Sequence, residues 1–258
     1  MDQIRIDRTP RRIRVVLGGA TIGDSTDATL GYAAGRHPEY LLPVADVTWP
    51  ALTVDQGAGG TDPFGDYHTI RAAIGAAPLG RRYVSGHAEG LVQLTFDAMD
   101  AWFEEDEQIW FHARDPYRRV DITESSRHVE ITVDGVTVAR TDRPRLVTET
   151  GLPERWYVPR ADVDWSKLSP SDTSSACQYK GIASWFDVEV DGHDRLVDVV
   201  WSYERPVSDA PKLAGLVAFY AEHAAVETHV DGVAQPKPTF EPGWLNPSFD
   251  IPNIATAA

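Results

Sequence analysis

The sequence predicts a mainly β protein built from two tandem, small antiparallel-sheet domains, with short helices and an extended C-terminal arm. Three observations carry this expectation: an internal repeat at an offset of 116 residues, a tight-hairpin signature at the head of each copy, and apolar residues that alternate in many short runs. Over residues 15–52 and 131–168, ten of 38 positions are identical without a gap. Gly19, Thr21, Leu30, Gly35 and Pro43 recur as Gly135, Thr137, Leu146, Gly151 and Pro159, and Ala45, Asp46, Val47, Trp49 and Leu52 recur as Ala161, Asp162, Val163, Trp165 and Leu168. At the same offset Phe103 meets Phe219 and Asp115 meets Asp231, which extends the period through whole domains. The copies are placed at residues 12–121 and 128–232, with a proline-bearing arm at 233–258.

Taken in order, each copy opens with a hairpin. IRVVL and ATIGD flank Gly18-Gly19, and VEITV and VTVAR flank Asp134-Gly135, dipeptides that suit tight turns between antiparallel strands. YLLP and WYVP read as short strands stopped by Pro43 and Pro159, because proline offers no ladder donor. ADVTW and ADVDW follow as turn-initiating segments. In the second copy GIASWFDVEV alternates with period two, Ala183, Trp185 and Asp187 against Ser184, Phe186 and Val188, as a half-buried strand does. RLVDVVWSY, residues 195–203, is another strand, and VETHVDG is a strand running into a turn. Between them APKLAGLVAFYAEH reads as a short helix or a partly extended edge.

Composition narrows the function classes. The 258 residues carry 39 acidic against 24 basic side chains, a formal charge of −15 that disfavours a general grip on a phosphate backbone, so no nucleic-acid partner is expected. One cysteine allows no internal disulfide and no cysteine-rich zinc cluster. The opening MDQIRIDRTPRRIRVV lacks the long apolar run of a signal peptide, and no apolar run has the length of a membrane span. A cytoplasmic protein without a membrane partner is expected.

The run SACQYKGIASWFDVEV, with VVWSYERP and GLVAFYAEHAAVETHVDG after it, resembles the bacterial family called domain of unknown function 427. That family also carries a nucleotidyltransferase-like label, which describes no chemistry visible in these residues. The resemblance implies small domains similar to the β-tent fold, two antiparallel sheets meeting at an angle. The family pattern of cysteine, aromatic, lysine and glycine falls on Cys177, Tyr179, Lys180 and Gly181, and its W-S-Y motif on Trp201, Ser202 and Tyr203, followed by Pro206. The first copy departs from it: GDYHTIRAAI replaces the cysteine segment and no W-S-Y occurs, so any site belongs to the second copy. Other β-tent families hold zinc with two CxxC pairs, and neither pair is present.

Cys177 has three readings, in descending order: a buried small hydrophobe, a residue lining a ligand pocket, and a nucleophile. Catalysis would need a partner for its thiol. Lys180 converges with it only if the segment turns, and His193, His223 and His229 only through tertiary folding. Trp185, Trp201 and Tyr203 form either an aromatic pocket, with Lys180 as anion contact and Glu204 as polar partner, or simply core, and Tyr179 joins them as a ligand-binding candidate. WFEEDEQIW, residues 102–110, reads as a solvated acidic surface with HARDPYRR, residues 112–119, as neighbouring positive charge; adjacent carboxylates do not converge on one ion. His68 and His112 are too isolated to serve as ligands. Phe240, Trp244, Leu245, Phe249 and Ile251 in the tail suggest an arm laid across a domain, an interdomain seam or a neighbouring subunit.

The leading functional expectation is a noncatalytic module for a small molecule or a peptide, with its aromatic pocket in the second repeat and neither cofactor nor metal. An enzyme using Cys177 or an acid/base pair in the same cleft is the first alternative. A structural or protein-interaction domain without a pocket is the second. Ligand identity and oligomeric state lie beyond the sequence.

Overall fold

The structure is a computed structural model that describes residues 4–33, 36–49, 52–73 and 77–239. The chain divides into two compact units, Met1–Asp115 and Pro116–Ala258. No helix among the described residues is long and apolar enough to cross a membrane.

The first unit contains β1 (Arg5–Arg8), β2 (Ile13–Leu17), β3 (Ala20–Ser25), β4 (Thr29–Tyr32), β5 (Glu39–Pro43), β6 (Leu52–Asp62), β7 (Gly65–Ala72), β8 (Pro78–Tyr83), β9 (Leu91–Leu94), β10 (Ala101–Glu104) and β11 (Glu107–Ile109). The second contains β12 (Val120–Glu124), β13 (Val129–Val133), β14 (Val136–Thr141), β15 (Arg145–Glu149), β16 (Leu152–Pro159), β17 (Leu168–Cys177), β18 (Gly181–Val188), β19 (Leu196–Ser202), β20 (Leu216–Phe219), β21 (Val226–Val230) and β22 (Val233–Ala234). Each unit pairs a seven-stranded antiparallel sheet with a four-stranded one. The orders are β1-β4-β5-β9-β8-β7-β6 and β11-β10-β2-β3, then β12-β15-β16-β20-β19-β18-β17 and β22-β21-β13-β14. Adding eleven to each strand of the first unit reproduces the second.

The repeated residues are those that build this frame. Gly18 and Gly19, and Asp134 and Gly135, all have positive φ, as the tight turns of β2-β3 and β13-β14 require. Both hairpins carry a bulge at the same place, after Val15 and after Ile131. Asp46 accepts from the Ser25 hydroxyl and Asp162 from the Thr141 hydroxyl, each at 2.6 Å, tying the 3-10 turn after β5 or β16 to the small sheet. Val47 and Val163 bridge to Gly23 and Ala139. The Trp49 and Trp165 indoles donate to the carbonyls of Val44 and Arg160. The recurring Asp, Val and Trp thus fasten one sheet to the other.

Each large sheet has two apolar faces. The inner face packs against the small sheet, around Ile13, Val15, Leu42 and Val92 in the first unit and Ile131, Val158, Val200 and Val217 in the second. The outer face carries a separate cluster: Leu41, Phe64 and Tyr83 in one unit, Tyr157, Trp201, Tyr203 and Leu216 in the other.

Three expectations need correction. The segment around Leu216 is a central strand between β16 and β19, preceded by a single 3-10 turn, because its small and β-branched residues fit a position buried on both faces. The 116-residue offset also does not persist to the end of the repeat. Ladder positions equate Leu94 with Phe219 and Phe103 with His229, since longer connections in the second unit shift the later strands. Finally, Glu104 of the acidic run is buried, bonded to the Tyr40 hydroxyl and paired with Arg11 at 2.6 Å, with Arg114 of the HARDPYRR segment at 3.9 Å. Asp106 and Glu107 remain exposed. The proposed arm leaves β22 through residues 235–239, and its remainder, with Phe240, Trp244, Leu245, Phe249 and Ile251, lies outside the described residues.

Candidate functional site

The cysteine segment forms a turn. Cys177 ends β17 and pairs with Gly181 at the start of β18, and the Lys180 amide donates to the Cys177 carbonyl at 3.3 Å. Gly181 has φ of 109°, and a Cβ there would lie 3.1 Å from the Arg205 carbonyl oxygen, so any side chain would be strained under the chain that crosses it. That chain is fixed by an isolated bridge from Gly181 to Pro206 and by the Val207 amide, which donates to the Lys180 carbonyl. The turn places Cys177 and Lys180 on one side of the sheet, where an uninterrupted strand would have separated them.

Lys180 points into the outer face. Its Nζ donates to Glu149 Oε2 at 2.5 Å, and Arg118 Nε meets Glu149 Oε1 at 3.2 Å. The three side chains are 13%, 6% and 11% exposed, respectively for Lys180, Glu149 and Arg118. Two cations therefore share one carboxylate in a nearly water-free place. Burial pushes the Glu149 carboxyl up, but Lys180 and Arg118 overcome it and hold the group below the usual carboxylate range. Burial likewise opposes the Lys180 charge, yet Tyr203, Glu149, Cys177 and Tyr157 raise its pKa well above the ordinary value. Since burial keeps Tyr203 a neutral phenol at neutral pH, Glu149 is the partner that sustains the ammonium.

Beside this trio lies an aromatic row written across the ladders. Tyr157 pairs with Ala218, Ala218 with Trp201, and Trp201 with Trp185. Ala218 is too small to separate its neighbours, so the Trp201 indole reaches over it and donates to the Tyr157 hydroxyl at 3.0 Å. Trp185 and Trp201 are 5.2 Å apart, and Trp185 Nε1 donates to the Ser175 hydroxyl at 2.8 Å. Arg155 lies 5.0 Å over the Trp201 ring and is held there by a two-point ion pair with Glu222. Lys180 stands 5.9 Å from the Tyr203 ring, and Arg118 stands 5.8 Å from the ring of Tyr179.

Of the residues anticipated from sequence, Lys180, Trp185, Trp201, Tyr203 and Cys177 share this face, with Tyr179 beside Arg118. Trp201 and Tyr203 are buried, whereas Cys177, Tyr179 and Trp185 are half-buried. Glu204 stands apart, exposed and paired with Arg160 at 3.8 Å. The three histidines considered as cysteine partners are engaged elsewhere: His193 with Asp134, His223 with the Ala225 amide, and His229 with Glu227. Ser202 of the W-S-Y motif is a latch, its hydroxyl donating to the Leu216 carbonyl at 2.8 Å.

Sequence reasoning missed Glu149, Arg118, Arg155 and Tyr157. A signal existed for Glu149. At the 116-residue offset it faces Ala33, as Lys180 faces Phe64, so a buried charge in one copy replaces an apolar group in the other. The ladders likewise equate Trp201 with Arg81 and Trp185 with Thr69. Among the described residues no group of three or more His, Cys, Asp or Glu could hold a metal ion.

Most of this geometry lies within one stretch of recognised sequence. Residues 121–232 match the family model described as a domain of unknown function, DUF427. The DUF427-like domain thus contains Glu149, Lys180 and the aromatic row, while Arg118 precedes the matched span. The first unit repeats its strand order but lies outside that match. No curated protein matches the chain.

Proposed function

We propose that the second unit is a noncatalytic binding module that takes a small molecule or a peptide on the outer face of its large sheet. The observation that carries this reading is the buried trio of Arg118, Glu149 and Lys180, with one positive charge in excess, beside Trp185, Trp201 and Tyr203. A buried ion cluster is a poor source of stability compared with apolar packing, and the first unit fills the corresponding places with Ala33 and Phe64. Retaining it is reasonable where an anionic group must be received. The aromatic rings supply flat apolar contact and Tyr179 and Cys177 form the rim. The paired sheets are read as a β-tent, in keeping with the family resemblance.

Binding is favoured over acid/base catalysis because Glu149 titrates below, and Lys180, Tyr157 and Tyr203 above, their usual ranges, so none of these four is poised near neutrality. The test is a titration of the full chain with benzoate, a planar anion, read at the indole N–H signals of Trp185 and Trp201. Saturable shifts that vanish in a folded Lys180→Met variant are expected. Unchanged indole signals would remove the anion-receiving face and leave the structural reading. Turnover lost specifically in Cys177→Ser would instead promote the enzyme.

A further inference from the structure

The inner faces of the two units differ at one end, and the difference is a matter of three side chains. In the first unit Trp102 is 2% exposed, stacked on Phe96 at 5.0 Å and on Tyr40 at 5.9 Å, and its indole donates to the Phe96 carbonyl at 3.1 Å. Ile109 pairs with Trp102 across β10-β11 and is 1% exposed. The ladders identify their counterparts. Trp102 pairs with Val15 as Thr228 pairs with Ile131, which equates Trp102 with Thr228. Gln235, whose main-chain N–H donates to the Thr228 carbonyl, takes the place of Ile109. Thr95 bonds Leu79 as Tyr220 bonds Val199, so the next residues, Phe96 and Ala221, also correspond. Tyr40 becomes Trp156 at the 116-residue offset.

Two large rings are thus replaced by threonine and alanine, and an isoleucine by glutamine. The result is a cleft of about 370 Å³ between the sheets of the second unit, lined by Thr228, Ala221, Gln235 and Trp156 among others. Phe219 and Ile131 supply further apolar wall. Lys237 holds the opposite side in place by donating to the carbonyls of His223 and Val226. The cleft opens to the surface, where the exposed Glu154, Lys237 and Thr239 also line it, and its volume falls in the range of small-ligand sites.

We propose that this cleft is a second ligand site, distinct from the outer face although Arg155 borders both, and that it takes a planar aromatic ring of indole size in the position Trp102 occupies in the first unit. The ring stacks on Trp156 as Trp102 stacks on Tyr40. A ring N–H donates to the Ala221 carbonyl, the equivalent of the Phe96 acceptor.

The test uses the full chain with indole as probe, followed by calorimetry and by the Trp156 indole N–H signal. Saturable binding that moves this signal is expected, and a Thr228→Trp variant, which restores the plug, should bind indole roughly tenfold or more weakly. Ala221→Phe fills the cleft from the other wall and serves if Thr228→Trp does not fold. The Trp185 indole N–H signal, on the outer face, should not move with indole. No shift at Trp156, or undiminished binding in a folded plugged variant, overturns the proposal. So does binding that appears only after removal of residues 240–258, which would assign the cleft to the chain's own tail, where Phe240 and Trp244 lie.

Discussion

Glu149 holds the balance of charge on the outer face, since it is the one carboxylate between Lys180 and Arg118. Replacing it with glutamine leaves two buried cations facing each other, and Glu149→Gln should cost about 3–5 kcal/mol of the second unit's stability. Lys180→Met should cost less, about 1–3 kcal/mol, because Arg118 continues to neutralise the carboxylate. Denaturant unfolding of the two variants gives the order, and a larger loss for Lys180→Met would refute the arrangement. The pH dependence follows from the same group. The folded-state pKa of Glu149 lies below its unfolded value, so its contribution is complete above the unfolded pKa of about 4.5 and is lost as pH falls through the folded value. The wild-type unit should lose stability on acidification below about pH 5, and the Gln variant should lose less over that interval.

At the scale of elements, the β17-β18 turn determines whether Lys180 can meet Glu149. Four residues of the turn divide the labour: Cys177 and Gly181 close the hairpin, Lys180 reaches Glu149, and Tyr179 lies beside Arg118. Gly181→Ala meets the Arg205 carbonyl at 3.1 Å with φ of 109°, and should cost about 2–3 kcal/mol while displacing Lys180 from its partner. Gly135→Ala, also at positive φ but with nothing within 4 Å of the added carbon, should cost only about 1 kcal/mol and leave the outer face intact. Thermal melts compare the two costs, and the Trp185 indole N–H signal reports on the face. Equal effects would mean that the Pro206 crossing does not constrain the turn.

For the whole molecule, each unit has its own inner and outer apolar clusters and its own pair of sheets. A unit with a complete core meets the ordinary condition for folding alone. Residues 116–239 should therefore give a dispersed amide spectrum and a single cooperative melt. A fragment that is unfolded at room temperature would show that the second unit depends on the rest of the chain.

Sequence alone determined the opening hairpins, the strands that end at Pro43 and Pro159, and their duplication. Hairpin dipeptides, strand-ending prolines and the recurring Asp, Val and Trp act through local backbone geometry and short-range bonds, which leave a trace in residue order. It also singled out the Cys177 and W-S-Y segments, whose Lys180, Trp201 and Tyr203 the fold brings to one face. Tertiary structure decided which groups meet. Glu149 lies 31 residues before Lys180 and on β15, which β16, β20 and β19 separate from β18 in the ladder order, so neither sequence nor strand pairing alone announces their bond. The same holds for Glu104, an apparent surface charge that is buried because β10 sets it against Tyr40, and for the cleft at Thr228, which exists only because two sheets face each other across a missing ring. Partners of this kind are chosen by strand order and register, long-range quantities that no local stretch of sequence contains.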